Sequence, residues 1–177
     1  MLMLDAKSST LLVVDFQTRL MPAIDGAAAA LANAQRLVRG AQLLDVPTFY
    51  TEQYPKGLGH MAPELTPPAG TLTEKTTFDS TRAPGFLENL PAERALVVTG
   101  CEAHICVLQT VLGLIGTGRK VFVVADAVGS RAAESRRIAL KRMEQAGAIL
   151  VTTEMVLFEW VGDARHPRFK EISALVK

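Results

Sequence analysis

Short runs of apolar, β-branched residues recur along this chain with helical stretches between them, and that alternation restricts the fold more than any other feature. Thr10-Leu11-Leu12-Val13-Val14 and Val121-Phe122-Val123-Val124 lack the every-second-residue polarity of a strand with one wet face. Strands of this kind are covered on both faces, as in parallel sheets with helices packed above and below. The reading is therefore α/β, a largely parallel sheet of about six strands, with residues 1–177 forming one domain. A chain of 177 residues, 49% of them apolar, can bury such a core without metal or disulfide support.

The remaining elements follow the same logic. Asp25 is expected to cap a helix from about Gly26 to Leu44. Pro47 to Thr51 reads as the second strand, and a long Gly- and Pro-bearing loop to Pro68 is placed to line a pocket. A short strand near Thr71 to Thr73 leads to Lys75, and a small helix covers Gly85 to Asn89. Asp126 to Arg131 reads as a loop, Ala132 to Ala146 as a helix closed by Gly147, and Ala148 to Val151 as the last strand. Helices over Thr153 to Trp160 and from His166-Pro167 to about Leu175 complete the chain.

Charge and cysteine content exclude several functions. A net charge of +1, from 19 basic and 18 acidic residues dispersed along the chain, provides no stripe to neutralise phosphates, so no nucleic-acid partner is expected. The residues from Met1 to Lys7 lack a basic leader followed by an apolar core, and no apolar run approaches membrane-spanning length; the expectation is a cytoplasmic protein with no membrane partner. Two cysteines, Cys101 and Cys106, cannot build a disulfide framework, and Cys101-x-x-His104-x-Cys106 has the wrong spacing for a zinc knuckle.

The chemistry concentrates where strands end. Ala95 to Val107 reads as a strand that meets Gly100, turns, and starts a helix with a cysteine near its first turn. Free backbone N–H groups there can hold a thiolate and later an oxyanion, so a lowered thiol pKa is expected. Ligands of parallel sheets lie beyond the strand carboxyl ends. Asp15 ends the first strand, Lys75 follows the third and Cys106 follows the fourth. An acid as general base, an ammonium to balance negative charge and a sulfur nucleophile are the parts of an acyl-transfer site. Phe16 and Phe78 adjoin these residues and are expected to wall the site, with Tyr54 as a further substrate contact. Cys101 reads as a turn residue, His104 points to another side of the helix from Cys106, and His166 belongs to a surface turn. The apolar helix from Val107 to Gly116 is either deeply buried or shared with a second copy, which suggests a homo-oligomer.

Val14-Asp15-Phe16-Gln17, Lys75-Thr76-Thr77-Phe78 and Gly100-Cys101-Glu102-Ala103-His104-Ile105-Cys106-Val107 resemble the three signature segments of isochorismatase-like cysteine hydrolases, and the similarity covers nearly the whole chain. Thr51 to Gly59, Leu157 to Trp160 and His166 to Lys170 resemble the isochorismatase domain-containing branch, whose substrates are poorly defined. The resemblance implies a three-layer α/β/α fold on a six-stranded sheet, a catalytic triad of Asp15, Lys75 and Cys106, and family precedent for oligomers. It also implies a non-proline cis peptide before Glu102 that aims the Glu102 and Cys106 amides together as an oxyanion hole. Two departures narrow the reading. Nicotinamidases place an Asp-x-His pair after the second strand to bind metal, whereas this chain has Glu52-Gln53-Tyr54 and only the distant His60, so no metal and no cofactor are expected. Isochorismatases that cleave a vinyl ether lack the cysteine, so Cys106 points to a thioester intermediate and hydrolysis of a small-molecule amide. Two rivals remain at this level: a non-hydrolytic redox or binding module in which Cys106 senses oxidant and Cys101 resolves it, and a Cys-His hydrolase using His166.

Overall fold

The computed structural model describes residues 3–177; the reading of the amino terminus that rests on Met1 and Leu2 lies outside it. Six strands form one sheet: β1 (Ser9–Val14), β2 (Thr48–Gln53), β3 (Leu72–Lys75), β4 (Ala95–Cys101), β5 (Val121–Gly129) and β6 (Ile149–Val151). Their order is β3-β2-β1-β4-β5-β6, and every neighbouring pair is parallel.

Strand alternation sorts the apolar runs into two cores. Leu11 and Val13 of β1, Val97 of β4 and Phe122 of β5 face a layer made by α1 (Ala27–Leu43), α6 (Thr153–Val161) and α7 (Phe169–Leu175). Leu12 and Val14, Leu96 and Val98, and Val121 and Val123 face the opposite layer, built from α3 (Phe86–Asn89), α4 (Leu108–Gly116) and α5 (Ala133–Gln145). All four apolar side chains of β1 are inaccessible to water, and each contributes about 1.5–3 kcal/mol of transfer free energy. The continuous apolar runs are thus the consequence of helices on both faces.

The order of strand addition reverses between β1 and β4: the first three strands step one way across the sheet and the last three step the other. A crevice opens at such a point because the loops following the two strands diverge. Close strand approach there depends on Gly100, paired with Val14 and at φ +154°; a Cβ on it would collide with the Val14 carbonyl.

Three local expectations are corrected. Asp25 does not cap α1 through its side chain; its backbone bridges Ser130, and the helix is entered through Gly26 in a left-handed conformation. Residues 126–129 are strand, because Gly100 and Cys101 pair with Val128 and Gly129 after a register shift, and this ladder outweighs the polar composition. The long loop after β2 contains a short helix α2 (Pro55–Leu58) and a turn at Pro63–Leu65. The apolar helix is absorbed within the chain: Val107, Leu108, Val111 and Leu114 are buried in the second core, with Leu112 and Ile115 packed against it. Among the described residues no helix is long and apolar enough to cross a membrane.

Candidate active site

At the β1–β4 switch, Asp15 follows β1 with a left-handed backbone (φ +53°), a conformation an L-residue adopts at a cost of about 1–2 kcal/mol and one that Asp tolerates better than most. Its carboxylate accepts from Thr51 Oγ1 at 2.6 Å and from Lys75 Nζ at 2.8 Å. Both members of the Asp15–Lys75 pair have side-chain exposures of 0%. Lys75 is the last residue of β3, so two strand ends flanking β2 bring the pair together across it. Lys75 Nζ also donates to Gln53 Oε1 at 2.9 Å, and that oxygen lies 3.9 Å from Cys106 Sγ.

Cys106 sits in a wide helical turn, Ala103–Val107, in which the Val107 N–H reaches back to the Glu102 carbonyl before α4 begins. The peptide between Cys101 and Glu102 is cis. Asp15, Gln53, Glu102 and Cys106 line one small cavity with Phe78, and Arg131 stands at the same cavity. Its volume is about 120 Å³, well under the roughly 300–1,000 Å³ of drug-sized pockets.

The expectation of a lowered thiol pKa is corrected. Burial pushes the Cys106 thiol up, the adjacent Asp15 carboxylate raises it further, and the Lys75 ammonium only partly offsets both. Removal from water opposes the thiolate more strongly than the helix start favours it. The Cys101 thiol is likewise pushed up by burial, to about 12. At Glu102 burial works against ionisation, but hydrogen bonds and charge from Arg131 outweigh it and hold the carboxyl below the usual range. Arg131 donates from Nη2 at 2.6 Å, from Nε, and from its backbone N–H; Glu102 is 3% exposed, whereas the Arg131 side chain is 58% exposed.

The structure separates the other sequence candidates. Phe78 is half exposed and lines the cavity. It is held by α4: Ser80 hydrogen-bonds Thr110 Oγ1 through both its N–H and its hydroxyl, one helical turn beyond Cys106. At Gly113, a further turn on, a Cβ would come within 2.6 Å of both Asp79 Oδ1 and Thr81 Oγ1, so the absent side chain makes room for this loop. Tyr54 instead borders a larger hollow of about 660 Å³ beside β3, which Lys75 also touches but Asp15 and Cys106 do not. Phe16 does not wall the cavity; it is fully buried in the α1-side core. Cys101 is buried in that same core, and a Cβ on Gly129 would lie 3.2 Å from its sulfur. His104 bonds Ser130 Oγ, and His60 pairs with Glu52, whose carboxylate also accepts the Met61 N–H and so anchors the loop after β2. His166 lies at the opposite end of the sheet, beside Leu4 and Asp5, in the turn before α7. Asp126 accepts from the backbone and hydroxyl of Thr153 and secures the start of α6.

Sequence reasoning missed Thr51 and Gln53. Two residues apart at the end of β2, they share one strand face, and the polar run Thr51-Glu52-Gln53 closing the strand was the available signal.

The isochorismatase domain family matches residues 9–155. Isochorismatase domain-containing protein 1 of Salmo salar is 40% identical over 92% of this chain, which spans only 59% of that relative's length. Human isochorismatase domain-containing protein 2 is 41% identical over 96% of this chain and 83% of its own. Among solved structures, MAR1 ribonuclease from Caenorhabditis elegans superposes with a TM-score of 0.92 at 39% identity, covering 98% of this chain and 92% of that one. YcaC from Pseudomonas aeruginosa, with hexane-2,5-diol and covalent acrylamide, gives 0.91 at 26% identity, covering 98% and 90%. YcaC from Escherichia coli, an octameric hydrolase of unknown specificity, gives 0.91 at 26%, covering 99% and 89%. With its six-stranded parallel sheet and its matched segment from β1 to α6, this chain belongs to the isochorismatase domain family.

Proposed function

We propose that this chain is a cysteine-dependent hydrolase that cleaves the carbon–nitrogen bond of a small-molecule amide. The observation that carries the reading is a fully buried acid–ammonium pair, Asp15 and Lys75 at 2.8 Å, whose acid shares a cavity wall with the sulfur of Cys106. A buried ion pair is a poor stabiliser compared with apolar packing, so its presence beside a nucleophile is better explained by chemistry. As the Cys106 sulfur bonds to the substrate carbonyl carbon, its proton passes to Asp15 and the carbonyl π electrons move to oxygen. The backbone amides of Glu102 and Cys106 receive that oxyanion. When the C–N bond breaks, Asp15 returns the proton to nitrogen and the amine departs. Water then adds to the thioester, Asp15 takes its proton, and rupture of the C–S bond restores the thiol and frees the acid. Lys75 balances the negative charge of Asp15 and of the sulfur throughout. A thiol protonated at rest suits this sequence, because proton transfer accompanies attack.

The size of the cavity supports a small substrate, with Phe78 as a wall, whereas Tyr54 belongs to the separate hollow beside β3. The ribonuclease description of the Caenorhabditis relative is not carried over to this chain: a cavity of about 120 Å³ gives no room for a nucleotide. A redox module is disfavoured by both buried thiols, since peroxide reacts with the thiolate, and a Cys106–His166 dyad by their separation to opposite ends of the sheet. The octameric Escherichia relative supports self-association of this chain; a monomeric mass in sedimentation rejects it.

The test is acyl capture. Small primary amides are expected to leave an acyl mass on Cys106 in quenched intact-mass spectra and to release ammonia, with RNA left intact. Continued turnover by Cys106→Ala rejects the mechanism.

A further inference from the structure

Two acceptor oxygens, not one, flank the sulfur of Cys106: the Asp15 carboxylate and Gln53 Oε1. The orientation of the Gln53 amide is fixed by its partners. Its Nε2 donates to the Thr76 carbonyl at 2.7 Å, so Oε1 is the atom that accepts from Lys75 and faces the sulfur. The backbone is clamped as well: Gln17 Oε1 accepts from Gln53 N–H at 2.8 Å, and Gln17 Nε2 donates to the Gln53 carbonyl at 3.0 Å. A carbonyl oxygen has two lone pairs. Lys75 occupies one, and the other accepts from the Cys106 thiol at 3.9 Å until that proton passes to Asp15 and the sulfur is acylated.

This arrangement discriminates among leaving groups. With the substrate carbonyl carbon on sulfur and its oxygen at the backbone amides, the leaving atom stands before Asp15 and Gln53. Asp15 by then carries the thiol proton and donates it to the leaving atom, nitrogen or oxygen alike, so Gln53 Oε1 is the acceptor that discriminates. A primary amide keeps an N–H for it in either rotamer of the nitrogen, an N-substituted amide has a single N–H to place there, and an ester has none and sets a lone pair against it. Sites built to hydrogen-bond a donor reject analogues that lack it, because the buried acceptor is left unpaired. We infer that Gln53 is a specificity residue that accepts a hydrogen bond from the leaving nitrogen and selects unsubstituted amides over esters and N-substituted amides. The inference rests on the hydrolase reading above.

The experiment measures acylation of Cys106, by quenched mass spectrometry, for matched probes: acetamide, propionamide and butyramide, their methyl esters and their N-methyl amides. Wild type is compared with Gln53→Met, which removes the acceptor, and Gln53→Glu, which retains one. The expected result is at least a tenfold fall in the amide-to-ester ratio of acylation rates in Gln53→Met, with the ratio largely restored in Gln53→Glu. If Gln53 serves only to hold Lys75, Gln53→Met slows all probes by the same factor, and an unchanged ratio overturns the inference. Failure of every probe to acylate wild-type Cys106 instead overturns the hydrolase reading, so the two failures are distinct.

Discussion

The two ends of the sheet treat charge in opposite ways. At the carboxyl ends of the strands, Asp15 and Lys75 are sealed from water, and Glu102 is buried beneath an exposed Arg131. At the other end, Asp163 pairs with Arg165, and Arg168 with Glu171, on open surface around His166. Exposed pairs exchange water for each other at little net gain. Buried pairs must be complete, since either partner alone is a desolvated charge. The difference teaches that the folded chain builds its costly buried polar cluster at the carboxyl ends of the strands and leaves the opposite end to exposed pairs.

The contrast is broken most completely at sulfur and at imidazole. Cys106→Ala is expected to lower amide turnover by about four orders of magnitude or more, whereas His166→Ala leaves it within about twofold, in ammonia-release assays; equal losses would erase the functional distinction between the ends. Next, Lys75→Met strands the Asp15 carboxylate and should cost about 3–5 kcal/mol in urea unfolding. The double variant Lys75→Met/Asp15→Asn should recover much of that loss, and Arg165→Ala should leave the urea midpoint where it was. A smaller effect is expected from Gly113→Ala, which pushes the Asp79–Thr81 turn off α4 at a cost of about 1–3 kcal/mol; because that turn carries Phe78, KM should rise more than kcat falls.

Two further measurements sharpen the electrostatics. Asp15 raises the Cys106 thiol pKa and Lys75 lowers it, so Asp15→Asn should speed iodoacetamide alkylation of Cys106 several-fold near pH 8 while turnover is lost. A slower alkylation would mean that Asp15 activates the resting thiol instead. Cys101 supplies the smallest effect. Its pKa is about 12 in the fold against an ordinary 9, so the folded state holds the proton more tightly than the unfolded chain. That contribution to stability is complete below about pH 9 and lost as pH rises towards 12, and Cys101→Ala should flatten this part of the pH profile.

The α/β class, the parallel sheet and the positions of Asp15, Lys75 and Cys106 were legible because apolar runs and strand-terminal polar residues are local signals. Phe16 was misplaced because adjacency to Asp15 in sequence says nothing about the face taken after a left-handed turn. The sign of the Cys106 shift was misjudged because a helix start is visible in sequence, but desolvation and the approach of Asp15 from another strand are tertiary. Gln53 escaped notice for the same reason: its partners Gln17, Lys75, Thr76 and Cys106 come from four separate segments.

The register shift in β5 has a consequence for how such a site can diversify. Between Val123, paired with Val98, and Val128, paired with Gly100, the strand takes up surplus length before running on to Arg131. Asp126, within that surplus, is moored to α6 and α1 rather than to the cavity. Changes of length at 125–127 would therefore reposition the guanidinium at the entrance, while the acid and the ammonium are held at the ends of β1 and β3 and the sulfur in the turn after β4. The entrance guanidinium is thus mounted on a different strand from the acid, the ammonium and Gln53, and Glu102 is the link that carries a change in its position to the turn bearing the sulfur.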